Sequence, residues 1–242
     1  MGLVDFHTHI LPGIDDGSRD VDCSLAMLRL QAEQGVQHVV ATPHFYAARQ
    51  PITDFLERRK SAEAALRAAM EKTPGLPTLS VGAEVAFFEG ISHFERLQEL
   101  AIDGTGCVMI EMPMMHWSDR QLQELADIRQ KQKLTPIIAH IERYMGLPGG
   151  RAVAERLSEL PVYLQVNAGF FERISTRGMA LRLLRDQQIH LIGSDCHDLK
   201  RRVPNIGTAE KVIRKAMPEM LLWIEEQQDK ILAAQGAKDQ LI

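Results

Sequence analysis

Residues 3–9 read Leu-Val-Asp-Phe-His-Thr-His, a short apolar run that ends in two histidines one residue apart. Side chains two positions apart on a β-strand point to the same side, so His7 and His9 are placed to bind one metal ion together. Residues 194–197, Ser-Asp-Cys-His, repeat this spacing after another apolar run, and the same alternation turns the cysteine away. The sequence therefore predicts two strands whose C-terminal ends carry metal ligands.

Amphipathic stretches alternate with short apolar runs along the whole sequence. Residues 18–34 carry apolar side chains at helical spacing, and Gly35 follows them as a typical helix end. A second helix is predicted around Phe55 and Leu66, and two more over residues 205–234. Seven apolar runs are candidate strands: residues 3–6, 38–41, 79–83, 108–110, 136–139, 162–166 and 190–193.

Strands that alternate with helices indicate a parallel sheet buried on both faces. Each candidate strand is followed by a polar residue, and the set is His7 with His9, His44, Glu84, Glu111, His140, Asn167, and Asp195 with His197. A closed parallel barrel brings all these strand ends to one face, whereas an open sheet spreads them along a line. We therefore predict an α/β barrel of one domain, residues 1–242, with its active site at the C-terminal ends of the strands.

The composition excludes several classes of function. The 242 residues contain 28 Lys and Arg against 32 Asp and Glu, with no long basic run, so no nucleic-acid partner is expected. No apolar stretch approaches the length of a membrane span and no signal peptide is recognisable, which predicts a cytoplasmic protein without a membrane span. The three cysteines, Cys23, Cys107 and Cys196, are expected to be free thiols.

The carboxylates and histidines at the strand ends indicate a metal site. Glu84 and Glu111 emerge from apolar strands, where an unpaired carboxylate is costly unless a cation lies nearby. Imidazole and carboxylate donors together suit Mn, Fe or Zn. The loop at residues 15–17, Asp-Asp-Gly, is either a further source of ligands or a turn before a helix. The remaining histidines are expected to be structural: His38, His93, His116 and His190.

Five stretches carry a family resemblance: residues 5–10 with the Asp-Asp-Gly loop, residues 42–44 (Thr-Pro-His), 82–84 (Gly-Ala-Glu), 137–144 (Ile-Ile-Ala-His-Ile-Glu-Arg-Tyr) and 194–197. They cover nearly the whole chain in order. With them the sequence resembles the PHP (polymerase and histidinol phosphatase) superfamily, and within it the bacterial tyrosine-protein phosphatases of capsular and exopolysaccharide clusters. The resemblance implies a distorted (β/α)7, TIM-like barrel.

The resemblance also implies three divalent ions, usually manganese, and it distributes the ligands among them. The first ion takes His7, His9, Glu84 and Asp195; the second takes Glu84, Glu111 and His140; the third takes Asp16, His44 and His197. Asp15 is the alternative to Asp16, because the length of this loop is the least certain part of the match. Arg143 and Arg202 match family arginines and are expected to clamp phosphate at the catalytic centre, to which Asp16 also belongs.

The implied activity is a manganese-dependent protein-tyrosine phosphatase. Its implied partner is the phosphotyrosine tail of a bacterial tyrosine kinase that regulates capsular or exopolysaccharide biosynthesis. Two alternatives stay open: another PHP-type phosphoesterase such as a histidinol phosphatase, or a non-catalytic metal module that binds the kinase. A cysteine nucleophile is disfavoured, because Cys23 lies within a predicted helix and Cys196 is flanked by Asp195 and Asp198, which raise a thiol pKa. The oligomeric state is open.

Overall fold

The strands of the computed structural model are all parallel, and they form two sheets. The structure describes residues 2–147 and 155–239, with side chains in the last helix described as far as residue 233. The first sheet has the order β1-β2-β4 and the second the order β3-β5-β6-β7-β8-β9. The strands are β1 (Leu3–Thr8), β2 (Val36–Ala41), β3 (His44–Phe45), β4 (Thr78–Val81), β5 (Glu84–Ala86), β6 (Cys107–Glu111), β7 (Thr135–Ile138), β8 (Tyr163–Asn167) and β9 (Leu191–Gly193).

Two strand positions of the barrel are each interrupted once. Strand β3 continues the line of β2 after Pro43, and β5 continues the line of β4 after residues 82–83. The amide of Gly82 donates to the carbonyl of Ala41 (2.9 Å), and the amide of Glu84 donates to the carbonyl of Pro43 (3.0 Å). Proline has no N–H to donate to a strand ladder, so regular pairing stops here and resumes two residues later. The barrel is therefore distorted at this point, and each interrupted line counts as one strand position.

The ring closes between β1 and β9. The amide of Asp195 donates to the carbonyl of His7 (2.8 Å), and the amide of His9 donates to the carbonyl of Cys196 (2.9 Å). Thr8 and Cys196 also form a parallel bridge. Seven strand positions thus follow one another around the ring, which confirms the predicted distorted (β/α)7 barrel.

Helices connect the strands. They are α1 (Val21–Glu33), α2 (Ile52–Met70), α3 (Asp119–Asp127), α4 (Glu142–Met145), α5 (Gly169–Glu172), α6 (Ile174–Arg185), α7 (Ile206–Ala216) and α8 (Glu219–Asp239). Helix α1 begins three residues later than residues 18–34 predict, because the Asp20 carboxylate caps it by accepting from the amide of Cys23 (2.8 Å). The two predicted C-terminal helices are present, and the second extends beyond residue 234. Within the described ranges, no helix combines the length and apolar character that crossing a membrane requires.

A buried carboxylate ties the closing strands together. Both oxygens of Asp5, which is fully buried, accept hydrogen bonds: Oδ1 from the amide of Ser194 (2.8 Å) and Oδ2 from the side chain of Gln31 on α1 (2.7 Å). Burial raises the pKa of Asp5, although these hydrogen bonds oppose the rise. Asp5 therefore joins β1, β9 and α1 directly beneath the histidines of the β1 end.

Gly193 controls how closely β9 approaches β1, and this gives a testable prediction. A Cβ at Gly193 would lie 2.4 Å from the Cβ of His7, whereas a Cβ at Gly178 in α6 would meet nothing within 4 Å. We expect Gly193→Ala to lower the free energy of unfolding by about 1–3 kcal/mol and to displace His7. The control, Gly178→Ala, should be neutral or stabilising by up to about 1 kcal/mol, because alanine favours a helix. Urea unfolding measures both, and equal stability of the two variants would contradict the close approach.

Candidate metal centre

The sequence-predicted ligands meet at one end of the barrel. Strands β1, β3, β5 and β6 deliver His7 with His9, His44, Glu84 and Glu111, while the turns after β7 and β9 deliver His140, and Asp195 with His197. His140 (φ 35°) and Asp195 (φ 54°) both have positive φ. Non-glycine residues rarely adopt this conformation, and many of those that do lie at functional sites. The backbone of these two turns therefore determines where the side chains of His140 and Asp195 point.

The first group of ligand atoms contains two histidines of β1 and two carboxylates. His7 Nε2 and His9 Nε2 lie 3.1 Å apart. Glu84 Oε2 is 3.2 Å from His7 Nε2 and 3.4 Å from His9 Nε2. Asp195 Oδ1 is 3.6 Å and 3.4 Å from the same two nitrogens. All four side chains of the first implied ion therefore converge, and His7, His9 and Asp195 satisfy the geometry for holding a common ion.

The second group lies around Glu84 and Glu111. His140 Nε2 lies 2.9 Å from Glu84 Oε1 and 3.6 Å from Glu111 Oε1. His44 Nδ1 lies 3.0 Å from Glu84 Oε2, so His44, Glu84 and Glu111 also form a group able to hold a metal ion. The two carboxylate oxygens of Glu84 thus face different sets of histidines, as a ligand shared between two ions requires.

The third group lies toward solvent. Asp16 Oδ1 is 3.5 Å from His44 Nε2 and 3.4 Å from His197 Nε2, and with His9 these side chains form a possible metal site. His44 therefore faces both Glu84 and Asp16, with one ring nitrogen toward each. Asp16 is 67% exposed, whereas Asp15 is nearly buried. Of the two aspartates left open by the sequence, Asp16 is the one whose carboxylate faces the third group.

The donor set fits a divalent cation. Glu84 is 1% exposed, and its Oε2 has no hydrogen-bond partner in the described residues although His7, His9 and His44 surround it. A buried carboxylate oxygen without a partner is unfavourable, and a cation among these nitrogens removes the penalty. Nitrogen and oxygen donors without thiolate suit Mn²⁺, Fe²⁺ or Zn²⁺. These residues therefore fit the metals that the sequence indicates.

The pKa shifts within the cluster also indicate that it attracts positive charge. Burial opposes ionisation of Glu84, but the charge of His7 and the hydrogen bond with His140 hold its pKa well below the ordinary value. Burial likewise works against a charged His9, yet Asp15, Asp195 and Glu84 raise its pKa well above the ordinary value. Glu84 and Asp195, whose pKa values are both lowered, therefore stay ionised and attract protons or cations to the histidines between them.

Gln165 and Asp15 hold the histidines in place, a role that the sequence did not predict for either residue. Gln165 Oε1 lies 3.1 Å from His7 Nδ1 and accepts from the amide of His140 (2.8 Å). Asp15 Oδ2 lies 2.8 Å from His9 Nδ1 and accepts from the amide of His44 (3.0 Å). Partners on the second ring nitrogen fix how a ligating histidine is oriented. The alternation of β8, which places residue 165 on the same side as Asn167, is the one sequence signal for Gln165.

The predicted phosphate clamps flank Asp195. Arg143 pairs with Asp195 Oδ2, and Arg202 Nη2 lies 2.5 Å from Asp195 Oδ1. Arg202 Nη1 also lies 2.9 Å from His197 Nε2. Both side chains are a little over one third exposed, and each guanidinium group has five N–H donors, more than its pairing with Asp195 uses. The structure brings both arginines to the edge of the metal centre.

The cysteines and the other histidines lie outside the centre. Cys196 is fully buried, and burial together with the charge of Asp5 raises its thiol pKa well above the ordinary value. His190 accepts at Nδ1 from the amide of Leu164 (3.1 Å), and His38 Nδ1 lies 2.7 Å from Thr78 Oγ1. His116 is exposed. None of the four histidines taken as structural belongs to a metal-binding group in the described residues.

A family model described as "Capsular polysaccharide synthesis, CpsB/CapC" matches residues 3–230. The chain belongs to the CpsB/CapC family. The resemblance found in the sequence motifs is thereby confirmed. This family assignment covers the whole barrel, including every residue proposed above as a ligand.

Characterised relatives are similar over most of their length. The tyrosine-protein phosphatase YwqE of Bacillus subtilis is 29% identical over 212 residues, which is 86% of this chain and 82% of YwqE. The tyrosine-protein phosphatase CpsB of Streptococcus pneumoniae is 26% identical over 228 residues, 88% of this chain and 90% of CpsB. A crystal structure from work on these two proteins, described as metal-dependent tyrosine phosphatases, matches with a TM-score of 0.83 at 24% identity and covers 96% of this chain and 95% of that chain. This chain and the solved relative therefore share the same barrel fold.

The different positions of Asp15 and Asp16 give a second prediction. Asp15→Asn should lower the free energy of unfolding of the metal-free protein by about 1–3 kcal/mol, because a nearly buried acceptor of three hydrogen bonds loses its charge. Asp16→Asn should change it by less than about 0.5 kcal/mol, because Asp16 is exposed, yet should weaken Mn²⁺ binding by about tenfold or more. Urea unfolding and calorimetric Mn²⁺ titration measure the two effects. The reverse pattern would make Asp15 the ligand.

Proposed function

We propose that this chain is a metal-dependent protein-tyrosine phosphatase. The proposal rests on the buried Glu84 carboxylate, whose two oxygens face different histidines. Arg143 and Arg202, which both pair with Asp195, lie at the edge of the same group. Phosphoryl transfer depends mainly on positioning and on neutralising charge, and this arrangement of cationic and carboxylate groups suits both needs. The relatives named as tyrosine-protein phosphatases add support, since the chain covers most of their length.

The proposed cations are Mn²⁺, with Fe and Zn as chemically suitable alternatives, held by His7, His9, Asp16, His44, Glu84, Glu111, His140, Asp195 and His197. When bound, such ions supply an activated water and neutralise the phosphoryl oxygens. The protein's own residues do the remaining work. Gln165 and Asp15 orient the imidazoles, and the guanidinium groups of Arg143 and Arg202 offer positive charge to an anionic substrate at the edge of the centre.

Arg143 and Arg202 are the proposed phosphate-binding groups. A guanidinium fork matches two phosphate oxygens and keeps its charge throughout the pH range of the protein. Both side chains are anchored by Asp195 and retain donors toward solvent. An incoming phosphate therefore meets two oriented arginines at one edge of the metal centre, and the anchoring carboxylate reduces the entropy lost on binding.

The proposed substrate is phosphotyrosine. The phenol of tyrosine has a pKa of about 10, far below that of an alkyl alcohol. Phenolate is therefore the better leaving group, and its departure depends less on a strong general acid. We place the activity on the phosphorylated tail of a bacterial tyrosine kinase that regulates capsular or exopolysaccharide biosynthesis, in the cytoplasm, with residues 1–242 acting as one domain. The family description, which refers to capsular polysaccharide synthesis, supports this setting.

Metal removal tests the mechanism. Chelation should abolish turnover of a phosphotyrosine peptide and Mn²⁺ should restore it, because the proposed nucleophile is a water molecule that a bound metal ion activates. His140→Ala should lose at least about 100-fold in kcat, since it removes a ligand next to Glu84. Cys196→Ser should keep metal-dependent turnover, with Cys107→Ser as the control for a hydroxyl in another buried position. Turnover that survives chelation but is lost in Cys196→Ser would overturn the mechanism, and a preference for histidinol phosphate would change the substrate.

The arginine clamp gives a further prediction. Arg143→Lys keeps the charge but loses the fork, so kcat/KM for phosphotyrosine peptide should fall by about 10- to 100-fold. Arg120→Lys is the matched control, because Arg120 is exposed on α3 and only approaches Glu89 (3.6 Å). Steady-state kinetics with Mn²⁺ measure both variants. Equal kcat/KM values for the wild type and Arg143→Lys would exclude Arg143 as a bidentate phosphate ligand.

A further inference from the structure

A cavity of about 520 Å³ opens beside the metal centre, on the side of Asp195. Arg143 and Arg202 form part of its wall, so the cavity is continuous with the proposed phosphate-binding edge. Its far wall is built by α5, the start of α6 and the segment before α7, and it includes Arg173, Arg201 and Asn205. The cavity thus reaches from the catalytic rim to a second pair of arginines.

The two pairs of arginines differ in their partners. Arg143 and Arg202 are already paired with Asp195. Arg173 and Arg201 are exposed, and their guanidinium groups form no hydrogen bond or ion pair with any residue in the described ranges. Unpaired guanidinium groups that line one wall of a cavity attract an anion and offer it fork-shaped donors.

The carboxylates of the cavity do not compensate this charge. Glu172 Oε2 accepts from the Asn205 side chain (3.1 Å), and Glu142 Oε2 accepts from the amide of Asn167 (3.3 Å). With Asp195, the cavity wall contains three carboxylates against four guanidinium groups. The excess positive charge therefore lies at the wall formed by the two unpaired arginines.

Asn205 lies in the same wall as the two unpaired arginines. Its Nδ2 is used by Glu172, but its Oδ1 is buried and has no hydrogen-bond partner in the part of the chain that the structure describes. It also forms no capping bond to helix α7. A buried acceptor without a donor is unfavourable, so the hydrogen bond to Glu172 is the side-chain contact that holds Asn205 in this wall.

We infer that this cavity is a subsite for an anionic side chain next to the phosphotyrosine of the substrate, either a carboxylate or a second phosphate. The inference rests on the proposed phosphatase function and adds a substrate preference to it. An extended peptide places side chains two residues apart on the same side at about 7 Å, and both pairs of arginines line one cavity. A phosphate at Arg143 and Arg202 thus leaves a neighbouring acidic side chain within reach of Arg173 and Arg201.

Kinetics with matched peptides test the subsite. Four substrates are compared with Mn²⁺ present: a phosphotyrosine peptide with glutamate two residues away on either side, the same peptide with glutamine, one with a second phosphotyrosine, and p-nitrophenyl phosphate. The measured quantity is the ratio of kcat/KM for each peptide to kcat/KM for p-nitrophenyl phosphate. In Arg173→Ala/Arg201→Ala the ratio for the acidic peptides should fall by about three- to tenfold. The ratio for the glutamine peptide should stay the same.

The control variant is Arg182→Ala/Arg185→Ala. It removes the same charge from exposed positions of helix α6 that do not line the cavity, and its ratios should equal those of the wild type. The charge-reversed variant Arg173→Glu/Arg201→Glu should prefer a lysine-flanked peptide. A loss confined to the glutamate peptide identifies a carboxylate site, and one confined to the doubly phosphorylated peptide identifies a phosphate site.

Failure of the subsite and failure of the function give different results. Unchanged ratios in Arg173→Ala/Arg201→Ala, with phosphotyrosine turnover intact, would overturn the subsite and keep the phosphatase. If the wild type hydrolyses no phosphotyrosine peptide, the function fails, and fluorescence anisotropy with the unphosphorylated glutamate peptide then decides the subsite. Binding that weakens about three- to tenfold in the double alanine variant supports it, and equal binding contradicts it.

Discussion

The burial of one carboxylate between imidazoles is the interaction on which this barrel end depends. Glu84 is almost fully buried, and His7, His9, His44 and His140 approach its two oxygens from different sides. An ionised carboxylate in this position is tolerable only with positive charge beside it. Cations between the carboxylate and the imidazoles satisfy that demand, and the same charge is what a phosphate ester needs during hydrolysis.

The fold holds the ligands of this cluster in position. The β1 and β9 backbones are hydrogen-bonded next to His7, and a glycine at position 193 permits that approach. Gln165 links His7 to the turn that carries His140, although 158 residues separate it from His7. Ligands from both ends of the chain are therefore held by the closure of the barrel, so the stability of the closure and the affinity for metal are coupled.

The sequence predicted the seven strand positions because buried parallel strands are short continuous apolar runs, as residues 108–110 and 136–139 illustrate. It did not predict β3 and β5, since strands of two and three residues leave no periodic signal. The ligand types were predictable from the polar residue after each run. The role of Asp15 and the shared position of His44 were not, because both depend on how a loop folds back across strand ends rather than on spacing along the chain.

Anomalous diffraction tests most directly whether Glu84 is shared between cations. Crystals grown with Mn²⁺ would be measured on both sides of the manganese absorption edge. We expect at least two anomalous peaks, one in contact with each carboxylate oxygen of Glu84 and with the histidines that face it. A map in which no peak contacts Glu84, or in which a single ion lies elsewhere, would contradict the account.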